Sequence, residues 1–125
     1  MEEKLSILAI DDTAMQLHAL SNILQPTYKV RVAKDGKSGI ASAIKYKPNL
    51  ILLDMVMPGM SGLEVLQVLK TTDETQAIPV LIVSGSNAED DIKKCLDFGA
   101  DAYITKPYTR ENVMEYVEMF CYRQS

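Results

Sequence analysis

The sequence predicts an α/β fold, of (βα)5 type, in which five parallel strands form one doubly wound sheet with helices on both faces. Five short apolar runs alternate with segments of helical periodicity, and every connection between successive runs is long enough to hold a helix. The runs lie at 5–10, 28–33, 50–53, 80–83 and 102–105. The runs at 50–53 and 80–83 are apolar throughout, which is typical of strands buried on both faces of a parallel sheet.

Each helical segment carries apolar residues along one face. The five stripes are Leu17, Leu20 and Leu24; Ile40, Ala43 and Ile44; Leu63, Leu66 and Leu69; Ile92, Cys95 and Leu96; and Val113, Val117 and Phe120. Ser61 and Glu64 have capping-box spacing at the start of the third helix. Gly99 is expected to end the fourth helix, and Thr109 to cap the fifth. Gly39 lies inside the second helix and is expected to weaken it by about 1 kcal/mol relative to alanine.

Length and composition indicate a single globular domain over residues 1–125. The chain has 47% hydrophobic and 24% charged residues, which is ordinary for a globular protein. Its net charge of −4 argues against direct nucleic-acid binding, which depends on clustered Lys and Arg. No apolar stretch is long enough for a membrane span, and the first residues do not form a secretory signal. Cys95 and Cys121 lack metal-ligand spacing, so we expect buried, reduced thiols and a cytoplasmic location.

Polar side chains follow four of the five predicted strands. Asp11 and Asp12 come after the first strand, and Asp54 comes after the third. Ser84 follows the fourth strand, and Lys106 follows the fifth. Ligands of open parallel α/β sheets bind beyond the carboxyl ends of the strands. We therefore expect one pocket at this edge to collect all five side chains.

The chemistry of this set suits a divalent metal and a phosphoryl group. Three carboxylates contribute −3, which Mg²⁺ and Lys106 together neutralise, and oxygen atoms are the ligands that Mg²⁺ prefers. Without a cation, at least one carboxyl is expected to have a raised pKa because like charges repel. Aspartate accepts phosphoryl groups covalently, and Asp54 is the favoured acceptor because it stands alone at the end of the central apolar strand. Lys106 and Ser84 would then meet the new phosphoryl oxygens.

Five stretches in order resemble the receiver domain of two-component response regulators. They are Ile10-Asp11-Asp12, Leu50-Ile51-Leu52-Leu53-Asp54-Met55-Val56-Met57-Pro58, Gly62-Leu63-Glu64, Val83-Ser84-Gly85 and Gly99-Ala100-Asp101-Ala102-Tyr103-Ile104-Thr105-Lys106-Pro107. The resemblance covers nearly the whole chain. It implies a flavodoxin-like fold with strand order 2-1-3-4-5.

The resemblance also implies a role for each matching residue. By resemblance, Asp54 is the phosphoacceptor, Asp12 is a direct Mg²⁺ ligand and Asp11 is a ligand through water. The backbone carbonyl of Val56 is implied as a further ligand, and Mn²⁺ is a second candidate for the metal. An apolar Val56 gives no help to an attacking water, so we expect slow to moderate loss of the phosphoryl group.

A second set of residues matches the positions that respond to phosphorylation in this family. The resemblance implies that Ser84 is the hydroxyl that moves to the phosphoryl oxygen and that Lys106 is its charged partner. The bond before Pro107 is expected to be cis. Tyr103 falls at the family's aromatic switch position, where the ring turns inward on activation.

The function implied is that of a phosphorylation-activated signalling domain. A sensor histidine kinase or a histidine phosphotransfer protein would supply the phosphoryl group from a phosphohistidine. The chain is expected to catalyse only its own phosphorylation and dephosphorylation, and so not to be an enzyme in the usual sense. A downstream protein or effector domain would bind the face of the fourth helix, fifth strand and fifth helix. A phosphorylation-dependent dimer is a further candidate.

Three other classes of function remain as alternatives. A Mg²⁺-dependent aspartyl-phosphate phosphohydrolase commonly needs a second acid two residues after the nucleophile, where this chain has Val56. A flavodoxin-like module for a nucleotide or flavin needs a glycine-rich phosphate loop, but the first turn is Asp11-Asp12-Thr13-Ala14. A degenerate receiver used only for protein contacts would not need the complete set of acids, hydroxyl and lysine.

Other residues have structural interpretations. His18 is expected at the surface of the first helix. Tyr103, Tyr108 and Tyr116 fit either a partner surface or packing on the core.

Overall fold

Strands and helices alternate along the chain, as the sequence predicts. A computed structural model describes residues 4–122, with the side chain of Tyr122 left out. The predicted domain limits of 1 and 125 therefore lie outside the described residues. The elements are β1 (Ser6–Ile10), α1 (Ala14–Leu24), β2 (Lys29–Ala33), α2 (Gly36–Tyr46), β3 (Leu50–Leu53), α3 (Gly62–Thr71), β4 (Val80–Ser84), α4 (Glu89–Asp97), β5 (Ala102–Thr105) and α5 (Arg110–Tyr122).

The strands form one parallel sheet in the order β2-β1-β3-β4-β5, which confirms the predicted flavodoxin-like fold. The register keeps the carboxyl ends of the strands level. Ile10 pairs with Leu53 across β1 and β3, and Leu53 pairs with Ile82 of β4. The backbone N–H of Asp54 then donates to the carbonyl of Ile10 over 2.9 Å. This bond holds the residue after β3 beside the end of β1.

A separate hydrophobic core lies on each face of the sheet. One core contains buried residues of α2, α3 and α4, and the other contains buried residues of α1 and α5. The predicted stripes mostly face these cores. The fourth stripe is partly wrong, because Cys95 is buried whereas Leu96 is 46% exposed. Helix α4 therefore buries a narrower apolar face than its sequence predicts.

Helix ends follow the local chemistry of the sequence. Ser61 and Glu64 form the predicted capping box, with bonds of 3.1 Å from the Ser61 N–H and 3.3 Å to the Ser61 Oγ. The hydroxyl of Thr109 accepts from the N–H of Asn112 over 3.0 Å at the start of α5. Gly99 follows α4 with a φ of 104°, a conformation that favours glycine. These predicted caps are confirmed.

Gly39 has a packing role that its helix propensity does not reveal. A Cβ at this position would lie 2.5 Å from Cδ1 of Ile10 in β1. Without that methyl group, α2 can lie directly against the sheet. The propensity cost of a helical glycine is thus offset by close packing of α2 on β1.

Candidate functional site

Three carboxylates meet beyond the carboxyl ends of β1 and β3. Asp11 and Asp12 follow β1, and Asp54 follows β3. One oxygen from each carboxylate lies within 4.8 Å of the other two. Asp11 and Asp54 are buried, whereas Asp12 is exposed. The site is therefore open to solvent at Asp12 and closed around the other two acids.

Lys106 is shared between the two buried acids. Its Nζ lies 3.6 Å from Oδ2 of Asp11 and 3.6 Å from Oδ1 of Asp54. The backbone N–H of Lys106 donates to the carbonyl of Ser84 over 2.7 Å, which fixes the lysine beside the end of β4. The peptide bond between Lys106 and Pro107 is cis. The loop after β5 thus directs the ammonium group toward the acids.

Local hydrogen bonds orient the acids at the ends of β1 and β3. Oδ1 of Asp11 accepts from the N–H of Thr13 over 2.9 Å, which turns this carboxylate toward the start of α1. The N–H of Val56 donates to the Asp54 carboxylate. The Val56 side chain is 77% exposed and presents no polar group to the site. Its backbone carbonyl as a metal ligand stays a prediction.

Burial and repulsion both raise the pKa of Asp54. The larger cause is the loss of solvation on burial, and the smaller is the negative charge of Asp11. Lys106 and the N–H of Val56 act in the opposite direction but do not cancel these effects. The expected rise in a carboxyl pKa therefore occurs at Asp54, although burial contributes more to it than repulsion does.

The donor set fits a divalent cation. Three carboxylates and one ammonium group leave a formal charge of −2, which a single Mg²⁺ balances. All the side-chain donors are oxygen atoms, and Mg²⁺ commonly uses one or two carboxylates together with water and phosphate oxygens. The exposed position of Asp12 leaves room for such additional ligands.

Ser84 and Tyr103 lie on the same side of the site. Ser84 is the last residue of β4, and its side chain is buried. Tyr103 lies in β5 and is half-buried against the core formed by α2, α3 and α4. Its hydroxyl donates to the carbonyl of Ser86 over 2.8 Å. The tyrosine is therefore bonded to the loop that follows Ser84.

Of the other residues with structural interpretations, Tyr108 lies beside the site, where it lines a cavity together with Lys106. His18 is exposed on α1, as expected. Tyr108 and Tyr116 are half-buried and pack against the core formed by α1 and α5. The contacts of these two tyrosines favour core packing over a free partner surface.

Gly62 positions the site, but its importance is not apparent from sequence spacing alone. A Cβ at this residue would collide with the carbonyl oxygen of Asp54 and lie 2.5 Å from Cα of Met55. The N–H of Gly62 donates to the carbonyl of Met55 over 2.9 Å. The start of α3 is therefore in direct contact with the backbone that carries Asp54. The glycine directly after the Ser61 cap is the sequence feature that indicates this close approach.

Comparison with known proteins identifies the family and agrees with the fold. Residues 7–118 match the family model of the response regulator receiver domain. PilH of Pseudomonas aeruginosa is 36% identical over 110 residues, covering 87% of this chain and 91% of that protein. A CheY-like receiver domain protein of Methanospirillum hungatei has a TM-score of 0.90 at 28% identity, covering 98% of this chain and 97% of that one.

A third similarity involves a structure described with a phosphoryl analogue. The CheX–CheY–BeF3–Mg²⁺ complex of Borrelia burgdorferi gives a TM-score of 0.86 at 25% identity, covering 93% of this chain and 89% of that chain. The chain belongs to the response regulator receiver domain family, which acts in two-component signal transduction. Receiver domains of this family are signalling domains.

Many relatives are longer than this chain. The chain spans 47% of TcrX, a probable transcriptional regulatory protein of Mycobacterium tuberculosis, and 23% of a probable cyclic di-GMP phosphodiesterase of Vibrio cholerae. The chain therefore spans less than half of each of these two proteins. Among the described residues, none of the helices combines the length and the apolar character needed to cross a membrane.

Proposed function

We propose that this receiver accepts a phosphoryl group on Asp54 from a phosphohistidine and changes conformation in response. The supporting observation is the position of Asp54, buried at the end of β3 with two acids nearby and the ammonium of Lys106 at 3.6 Å. In the transfer, a lone pair of the Asp54 carboxylate forms the O–P bond. The electron pair of the broken N–P bond returns to the histidine ring.

Asp11, Asp12 and Asp54 would hold Mg²⁺, with the Val56 carbonyl as a further ligand. The metal, when bound, supplies positive charge that neutralises the transferring phosphoryl oxygens. Mn²⁺ suits the same oxygen donors and would replace Mg²⁺ in the assay. In this proposal Asp12 is a direct ligand and Asp11 acts through water. The open side at Asp12 gives the cation and donor access to the buried acceptor.

Lys106 and Ser84 act on the product of the transfer. Lys106 lies between Asp11 and Asp54, so its ammonium group is placed to compensate the charge that phosphorylation adds. The Ser84 hydroxyl would donate to a phosphoryl oxygen. Tyr103 would change its packing with the loop after β4 as this bond forms. Each contact favours one of two conformers by its difference in affinity for them.

The partners follow from this chemistry. A sensor histidine kinase or a histidine phosphotransfer protein is the proposed donor. The proposed output surface is the α4–β5–α5 face, where a downstream protein, an effector domain or a second phosphorylated receiver would bind. We propose that the chain acts in the cytoplasm, contacts no nucleic acid directly and catalyses only its own phosphorylation and dephosphorylation.

The phosphohydrolase alternative is not favoured. Such an enzyme commonly has an acid at the position of Val56, and the exposed valine side chain carries no ionisable group. Repeated turnover of small phosphate esters by the purified chain would argue for the enzyme instead.

The test is an intact mass measurement after incubation with acetyl phosphate and Mg²⁺. We expect a gain of one phosphoryl group in the parent chain, and none after Mg²⁺ is removed. Asp54→Asn should show no gain, whereas Asp73→Asn, which changes an exposed aspartate beyond α3, should behave like the parent. If Asp54→Asn is still labelled, the proposed acceptor is wrong. A parent that binds Mg²⁺ but gains no mass would be tried next with a phosphohistidine donor.

A further inference from the structure

Ser86 is the centre of a hydrogen-bond network in the loop between β4 and α4. Its hydroxyl donates to Oδ2 of Asp91 over 2.6 Å and accepts from the N–H of Ala88 over 3.3 Å. Its backbone N–H donates to Oγ of Ser84 over 3.3 Å. Its carbonyl accepts from the hydroxyl of Tyr103 over 2.8 Å. One residue thus links Ser84, Tyr103 and helix α4.

The bond from Ser86 to Asp91 is the strongest member of this network. A separation of 2.6 Å is typical of a hydroxyl that donates to a carboxylate, and such charge-assisted bonds are about twice as strong as neutral ones. Asp91 is half-buried, whereas Glu89 and Asp90 in the same first turn of α4 are exposed. The helix dipole favours all three acids, so it does not explain why Asp91 alone contacts the loop.

The network also uses one hydrogen-bonding position of the Ser84 hydroxyl. A serine hydroxyl has one donor proton and two acceptor lone pairs. Oγ of Ser84 uses one lone pair to accept from the N–H of Ser86, and this bond leaves its own proton available for a phosphoryl oxygen. The side chain of Ser84 is buried, so water does not readily compete for that proton. The end of β4 therefore carries a buried hydroxyl that can donate to a ligand.

We propose that Asp91 is a positioning residue whose carboxylate holds Ser86 in place, so that Ser86 simultaneously orients the Ser84 hydroxyl and provides the acceptor for Tyr103. This inference rests on the proposed phosphorylation of Asp54. It adds that α4 controls how much rearrangement the β4–α4 loop needs when the phosphoryl group arrives. A preorganised loop lowers the cost of binding the activating group.

The first test compares Asp91→Ala, Asp91→Asn and Asp90→Ala in chains labelled with 3-fluorotyrosine. The chain has six tyrosines, and Tyr103→Phe identifies the resonance of Tyr103. Without any phosphoryl analogue, Asp91→Ala should move this resonance toward that of a solvent-exposed tyrosine. Asp91→Asn should largely restore the parent position because its amide oxygen still accepts a hydrogen bond. Asp90→Ala should match the parent.

The second test is a titration with beryllofluoride in the presence of Mg²⁺. We expect Asp91→Ala to raise the concentration needed for half-maximal response about 5-fold or more, the usual range for coupled sites. Ser86→Ala should have a similar effect, and the double variant should be little worse than either single one, because both changes remove the same bond. Far-ultraviolet circular dichroism verifies that each variant is folded.

Specific outcomes would overturn the inference. It is wrong if Asp91→Ala and Asp90→Ala give the same Tyr103 resonance, or if the effects of Ser86→Ala and Asp91→Ala are fully additive. A parent chain that does not respond to beryllofluoride would count against the proposed function instead. In that case the resonance measured without the analogue still decides whether Asp91 positions Tyr103.

Discussion

Asp54 shows a conflict between function and stability at the scale of one residue. Its carboxyl is buried beside Asp11, and both features raise its pKa above the ordinary value of 3.8. The charged form is therefore less favourable in the folded chain than in the unfolded chain. As pH rises from this ordinary value through the folded pKa, stability is lost, and the loss persists at neutral pH. An acceptor that must be ionised for the proposed reaction thus destabilises the metal-free fold.

Asp54→Asn should stabilise the metal-free protein at neutral pH. The amide has nearly the same shape and carries no charge, so the cost of burying an anion beside Asp11 disappears. We expect the free energy of unfolding to rise by about 0.5–2 kcal/mol, the common range for a single stabilising substitution. Urea unfolding in EDTA at neutral pH measures it. Asp73→Asn is the control, and a less stable Asp54→Asn protein would contradict the prediction.

Cys121 gives a pH-dependent prediction at a site remote from the acids. Burial in the core of α1 and α5 raises the pKa of its thiol from 9.0 to about 11. Between these values the unfolded chain carries the thiolate while the folded chain keeps the thiol. The thiol's contribution to stability is therefore complete below pH 9 and is lost as pH rises toward 11.

The cost of Cys121→Ala should accordingly be smaller at high pH. Urea unfolding under reducing conditions would compare the variant with the parent at neutral pH and near pH 10. We expect the destabilisation to shrink by about 1 kcal/mol, the order of magnitude that one pKa unit represents. Val117→Ala, another buried change in α5, should cost the same at both pH values. If Cys121→Ala destabilises the protein equally at both pH values, burial does not raise the pKa of the Cys121 thiol.

At the scale of secondary-structure elements, close backbone approach links α3 to the acceptor. Gly62 begins α3 and occupies space where any Cβ would overlap the backbone of Asp54 and Met55. The adjacent capping box holds the first turn of α3 in the same position. A Cβ at Gly62 would require either the start of α3 or the backbone of Asp54 and Met55 to shift. The N–H of Gly62 donates to the carbonyl of Met55, so a shift of one also disturbs the other. The first turn of α3 is therefore part of the support of the site.

Gly62→Ala should reduce both stability and phosphorylation. Overpacking typically costs about 1–3 kcal/mol, so the urea midpoint should fall clearly. The rate of phosphorylation by acetyl phosphate should fall as well, because the Asp54 backbone shifts. Gly85→Ala is the matched control for stability, since a Cβ there has no atom within 4 Å. Equal stability of the two variants would show that α3 adjusts without disturbing β3.

At the scale of the whole molecule, the parallel sheet gathers chemistry from distant parts of the chain. The acids directly follow β1 and β3, the hydroxyl is at the end of β4, and the lysine directly follows β5. All strands run in one direction with level ends, so these groups share one edge. A ligand at that edge contacts the ends of several strands and should therefore stabilise the entire fold.

Mg²⁺ should raise the thermal stability of the whole domain. Free Mg²⁺ at about ten times its dissociation constant should add about 1.4 kcal/mol to the free energy of unfolding, by mass action. Differential scanning fluorimetry with and without EDTA measures the shift in Tm. Asp12→Ala should abolish the shift while preserving the fold, because Asp12 is exposed. Asp97→Ala, an exposed change in α4, should keep it. A full shift in Asp12→Ala would exclude Asp12 as a ligand.

Much of this architecture was predictable because it depends on local patterns. Apolar runs and helical stripes predicted every strand and helix. The ends of the strands differ from the predicted bounds by one residue at most. The capping box at Ser61 and the turn at Gly99 follow from residues close in sequence. The prediction that Leu96 faces the core is wrong, since which residues of α4 are covered depends on the elements packed against it.

The sequence by itself determined the alternation of strands and helices. It also determined which polar residues stand at the ends of four of the five strands. Strand and helix periods are local, and parallel strands necessarily bring those residues to one edge. Only the tertiary structure decided that Asp54 is buried while Asp12 is exposed, and that Lys106 is shared by two acids. It alone placed Ser86 between Asp91 and Tyr103. Such contacts depend on loop paths and helix positions, which no single segment of the sequence specifies.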